Sequence, residues 1–308
     1  MDVTVILNQM AQLVLVMAAG YGLYKQGQID DVFYSRLNKF VLHVTMPAMI
    51  LGSVLTQSRS VQIHMPSMAA SCLILTAVLP VLSFLTAKLL PVAKEDKGLY
   101  AFMMMYPNVG FMGFPIMKSI FGNDSVLATS VINLCFNISL FTIGPAAMGK
   151  QNSEKNVFSL KTFLSPGIIA SVCAVIFYGF SIPCPFAAGN ALNLIGSMTT
   201  PLAMMLIGVI LAKIPFMEVW KDARTYWFSL LIQLVIPTAA WPLLKQLIAD
   251  PLIRGITLII LAMPVANSAV IFSQEYEKDE MLAAKMVFMS TLISIVTIPL
   301  VAVWFLIP

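Results

Sequence analysis

Polar residues interrupt this chain only briefly. Between the interruptions lie ten apolar runs, near 5–23, 35–56, 67–90, 98–121, 126–148, 163–182, 189–212, 226–247, 255–274 and 284–307. Each approaches the length of about 20 residues that an α-helix needs to cross a hydrocarbon core roughly 30 Å thick. The breaks are short and charged, as in Lys94-Glu95-Asp96-Lys97 and Lys150-Gln151-Asn152-Ser153-Glu154-Lys155. The pattern predicts an all-α integral membrane protein with ten transmembrane helices and no soluble domain between them. The first run has neither a basic flank before it nor a small-residue cleavage site after it, so it is expected to be kept as the first helix.

Composition points the same way. Hydrophobic residues fill 59% of 308 positions and charged residues 10%, against about 25% charged in an ordinary soluble domain. Lipid is therefore the expected partner of much of the surface. The formal net charge of +4 is too small and too dispersed to suggest nucleic acid. Its distribution is more informative. Counted together with the helix ends that flank them, the connections after spans one, three, five, seven and nine carry three, three, three, three and two Lys or Arg, while those after spans two, four, six and eight carry one, one, none and two. The richer side is expected to be cytoplasmic. A multi-pass protein of the cell membrane with both termini outside follows.

The halves of the chain repeat. Thr45-Met46-Pro47 corresponds to Thr199-Thr200-Pro201, 154 positions on; Pro80 and Lys88 correspond to Pro237 and Lys245, 157 on. Pro107 matches Pro264 at 157, and Pro145 matches Pro299 at 154. Five spans is an odd number, so a second five-helix unit enters the membrane inverted, the arrangement found in many secondary transporters. The repeats are expected at 1–154 and 155–308.

Such transporters bind their substrates near mid-membrane, where paired helices are broken. The two candidates are span four, Tyr106-Pro107-Asn108-Val109-Gly110, and span nine, Met263-Pro264-Val265-Ala266-Asn267-Ser268. Proline removes a backbone donor and crowds the preceding turn, and glycine loosens the helix. Pro107 lies about nine residues into its run, roughly 13 Å deep at 1.5 Å per residue, and Pro264 sits at a comparable depth from the other face. The second half-helix of each span would then begin near the membrane centre with unpaired N–H groups carrying partial positive charge. That geometry binds anions. Asn108 and Asn267 would add amide hydrogen bonds, with Val109, Gly110 and Ser268 supplying backbone and hydroxyl; alternatively the prolines are packing kinks and the amides satisfy freed carbonyls. Asn133 and Asn137 in span five either line the site or bond neighbouring helices. Thr45 and His43 in span two complete the candidates, His43 as a titratable group or as a structural hydrogen-bonding one.

No Asp or Glu falls convincingly inside a run, which argues against a cation/proton antiporter and leaves coupling to a proton or sodium ion open. The four cysteines, Cys72, Cys135, Cys173 and Cys184, are scattered without metal-ligand spacing and read as packing residues. Neither a metal nor a cofactor is expected. Ser130, Ser139 and Ser171 have no evident histidine partner, so an enzyme is not expected either.

The stretch Tyr106-Pro107-Asn108 through Met112-Gly113-Phe114-Pro115-Ile116-Met117-Lys118 and Gly122 resembles the fourth helix of the auxin efflux carrier family. Ala262-Met263-Pro264, continuing to Phe272-Ser273-Gln274-Glu275-Tyr276, resembles the family's ninth helix, and Thr200-Pro201-Leu202-Ala203 through Gly208 and Leu211 its seventh. The resemblance covers the whole chain. It implies crossed, broken helices four and nine in a fold like that of bile-acid symporters and sodium/proton antiporters. It further implies a scaffold of helices one, two, six and seven, a mobile unit of helices three to five and eight to ten, elevator-like motion, and a homodimer. Pro107, Asn108 and Pro264 align with the family's crossover; Asn267 stands on the residue argument alone. The connection after span five is only about a dozen residues, unlike the long loop of many plant auxin carriers, and so resembles bacterial members whose proposed substrates include malate and malonate. The function expected is secondary transport of small organic anions, with a sodium- or proton-coupled symporter of bile-acid type as the alternative.

Overall fold

The computed structural model describes residues 3–55, 64–148, 166–180, 182, 185–213 and 219–306. The connection after span two, most of the one after span five and the 154/155 repeat boundary lie outside the described residues. The described elements are helical. Asp31–Leu55, Met65–Leu89, Phe186–Lys213, Ala223–Leu247 and Glu280–Leu306 are long and apolar enough to cross a membrane. Val3–Lys25 is a 23-residue helix. Shorter apolar helices occupy the remaining runs, among them Val109–Phe121, Asp124–Leu140, Pro166–Phe177 and Pro251–Leu261. Large apolar side chains such as Leu15, Leu73, Val296 and Trp304 lie exposed on these helices, as expected of a chain whose solvent is lipid.

Four helices widen for one turn to π geometry, at Val41–Thr45, Ile74–Val78, Val109–Gly113 and Leu231–Val235. Each wide turn ends two residues before a proline: Pro47, Pro80, Pro115 and Pro237. A proline ring collides with the carbonyl four residues back. In all four cases that carbonyl belongs to the wide turn, so the extra residue gives the ring room without cutting the helix. Ile74–Val78 and Leu231–Val235 are themselves 157 positions apart, the offset of Pro80 and Pro237.

The chain divides into two compact units. The first comprises Met1–His64, Gly110–Leu134 and Leu160–Lys213. Its core gathers Met46, Met49, Ile50, Phe114, Val126, Leu127, Ala170 and Ala174. Here Val3–Lys25 and Thr199–Lys213 press together through small residues: a Cβ added to Gly20 would strike the Met205 carbonyl, and one added to Gly208 would strike that of Met17. Gly196 meets the backbone of Met49 in the same way. Without a hydrophobic drive between helices in lipid, such close backbone contact is the main source of association. At the end of the unit, Lys213 Nζ pairs with Asp31 at 2.6 Å and stands 4.0 Å above the Tyr34 ring.

The second unit comprises Met65–Val109, Cys135–Ser159 and Ile214–Pro308. Its centre is aromatic. Phe102 lies 4.8 Å from both Tyr106 and Phe272, and Phe272 stacks on Tyr276 at 5.9 Å. Gly144 lies against Phe102, where an added Cβ would approach the ring to 3.0 Å. Ser71 and Thr257 share a buried hydroxyl hydrogen bond of 2.7 Å between their helices.

Candidate substrate site

Both expected breaks are present. Lys97–Met105 ends at Tyr106, whose φ of −121° and ψ of 79° leave the helix, and the chain resumes helical form at Val109. Pro251–Leu261 stops at Ala262, and Ser268–Glu275 begins after a non-helical interval. Within the second unit the two interruptions meet. Pro107 and Val265 form an antiparallel bridge pair. Asn108 N donates to Pro264 O at 2.8 Å, and Ala266 N donates to Tyr106 O at 3.3 Å. A strand-like step is the economical solution. Each break orphans backbone groups deep in the protein, and pairing the two segments satisfies them without water.

This pairing changes the anion cradle expected from the sequence. Four of its N–H groups are already engaged, since Val109 N donates to Pro107 O at 2.8 Å and Val265 N to Ser290 Oγ at 3.1 Å. Among the described residues, the N–H groups of Asn267 and Ser268 donate no hydrogen bond, and both residues are half-buried. Asn108 is buried at 5% exposure, its side chain held at the crossing by its own backbone bond. The positive end of the cradle therefore lies at the start of Ser268–Glu275, beside Asn267, while Asn108 stands opposite Pro264 in the antiparallel pair.

The other candidates are placed as follows. Asn137 is half-buried on the second unit's part of Asp124–Thr142, and Ser139, two residues on, accepts a 2.8 Å bond from the Tyr106 hydroxyl at its carbonyl. In the first unit Gly110 and Asn133 are half-buried, and Thr45 is buried with its hydroxyl directed to Val41 O at 3.4 Å. His43 is exposed, and its Nδ1 is 2.8 Å from Lys39 O, one turn back. That is the geometry of a helix-bound structural histidine. Among the described residues, no three His, Cys, Asp or Glu side chains cluster as metal ligands would.

One buried network went unread in the sequence. Gln233, fully buried in a wide turn, donates from Nε2 to Ser290 O at 2.6 Å and accepts from Thr297 Oγ1 at 2.6 Å. Ser290 in turn holds Val265 N. An amide alone within Leu231-Ile232-Gln233-Leu234-Val235 was the available signal, because a polar group there must find a partner. Replacing Gln233 by Leu would remove both bonds and leave the Thr297 hydroxyl only its 3.3 Å contact with Ile293 O, a loss of about 1–3 kcal/mol. Thermal melting of the purified protein should show this drop, and Gln233→Leu/Thr297→Val should recover part of it.

A family model described as membrane transport protein matches residues 5–302. The chain belongs to this family of membrane transport proteins, the auxin efflux carriers. It is 25% identical to an uncharacterized transporter of Methanocaldococcus jannaschii across 97% of each chain. It is 26% identical to an uncharacterized transporter of Methanothermobacter thermautotrophicus across 94% of each. It is also 20% identical to a Rhizobium meliloti protein named "Putative malonate transporter", across 85% of this chain and 84% of that one. The family and its relatives make this a multi-pass membrane transporter.

Proposed function

We propose that the protein is a secondary carrier of small organic anions, with mono- and dicarboxylates of malonate size as its substrate class. The observation that carries this reading is the bridge between the two broken helices, which has Asn108 on one strand opposite Pro264 and, among the described residues, leaves the N–H groups of Asn267 and Ser268 on the other without a hydrogen bond. Partial positive charge at a helix start together with amide donors favours a carboxylate without burying a lysine. The repeat supports ten spans in two inverted sets of five, because prolines recur at offsets of 154 or 157 and the wide turns Ile74–Val78 and Leu231–Val235 recur at 157. The asymmetry of Lys and Arg supports termini on the outer side of the cell membrane. Alternating access follows from helices three to five and eight to ten travelling against helices one, two, six and seven. Malonate is the first substrate to try, since a relative bears that name.

The test is flux into proteoliposomes of malonate against its neutral diamide. Malonate, ionised at neutral pH, should be carried at least about tenfold faster, the equivalent of roughly 1.4 kcal/mol of preference for charge. Equal handling of acid and amide would overturn the anion reading.

A further inference from the structure

The first unit carries a cavity of about 530 Å³ lined by Lys118, Asn123, Asn190, Asn193, Leu194 and Ser197. We propose that it is an anion-binding site in its own right, taking a small carboxylate on the Lys118 ammonium. The lining supplies one cation, three amides and one hydroxyl, with no carboxylate among its residues. The ammonium, the amide NH₂ groups and the hydroxyl can each donate to an oxyanion. The volume lies within the roughly 300–1,000 Å³ of small-molecule sites.

The local fold fixes these side chains. Phe114–Phe121 buries Phe114, Ile116, Met117 and Ile120, which leaves Lys118 half-buried on the remaining face. Gly122, at φ 78°, turns the chain so that Asn123 follows beside it. On Phe186–Ser197 the residues Asn190, Asn193 and Ser197 fall three and four apart and share one face, while Gly196 packs against Met49. Lys118 makes no ion pair among the described residues. A cation partly withdrawn from water and left without a carboxylate gains by taking a soluble counter-ion. In the topology proposed above, the cavity opens at the outer ends of spans four and seven, on the side poor in Lys and Arg.

The anionic oxygen could belong to a free carboxylate or to a lipid phosphate, and the experiment separates them. Full-length protein in phosphatidylcholine nanodiscs is treated with an amine-reactive acetyl ester, and acylation of each lysine is followed by peptide mass spectrometry. Exposed Lys94 serves as reference. Malonate at ten times its Kd should slow acylation of Lys118 roughly tenfold by mass action, with Lys94 unchanged and the neutral diamide without effect. Asn190→Ala should weaken that protection. Protection that instead follows phosphatidylglycerol content, and not malonate, keeps the anion site and assigns it to lipid. Protection by neither anion overturns the proposal. Asn108→Ala should retain the protection even where it loses transport, so failure here and failure of the carrier reading are told apart.

Discussion

Gly208→Leu should abolish recovery of monodisperse protein from detergent, whereas Gly22→Ala, on the partnering helix, should be neutral or slightly stabilising. At Gly208 any Cβ would overlap the Met17 carbonyl and come within 2.8 Å of Tyr21 N. Both obstacles are backbone, so no side chain can swing aside. Overpacking of a dense interior costs about 1–3 kcal/mol and occasionally more, and here the strain falls on an approach that Gly20 and Met205 repeat one turn away. A Cβ on Gly22 meets nothing, and alanine is a better helix former by about 1 kcal/mol. Fluorescence-detected size exclusion and thermal melts of the two variants side by side give the answer. Wild-type behaviour of Gly208→Leu would mean that these two helices do not rest on each other in the membrane.

Asn108→Ala should reduce malonate flux by ten- to a hundredfold in proteoliposomes, normalised to incorporated protein, with little change in melting temperature. The backbone bridge survives the change, because Asn108 N, not its side chain, bonds Pro264 O. What disappears is an amide at the crossing. A hydrogen bond to a charged group contributes about 1.5–3 kcal/mol, and each 1.4 kcal/mol is roughly one factor of ten. Flux at the wild-type rate would remove Asn108 from the site. A collapse in stability would make it a structural amide instead.

The sequence made the helices and their interruptions legible because bilayer-crossing segments are constrained by length and polarity, and proline announces where the ladder must fail. Pro107 and Pro264 could therefore be placed as breaks from their surroundings alone. What the two breaks do to each other could not. That Asn108 N would find Pro264 O, and Ala266 N Tyr106 O, depends on the approach of segments over 150 residues apart, and this turned an open cradle of N–H groups into a partly occupied one. Long-range pairs were hidden for the same reason. Lys118 with Asn190 and Asn193 line one cavity although no spacing links them. His43 was the reverse case. Its two readings differ only in what the ring touches, and the contact with Lys39 O favours the structural one.

The bridge between Tyr106–Asn108 and Pro264–Ala266 also has a mechanical side. Hydrogen bonds stitch these two segments into a single miniature girder, so a shift of one must either break those bonds or carry the other along. In the carrier proposed above, a cargo gripped between them would keep the same neighbours at the start and the finish of its journey, and selectivity would be decided once, at loading.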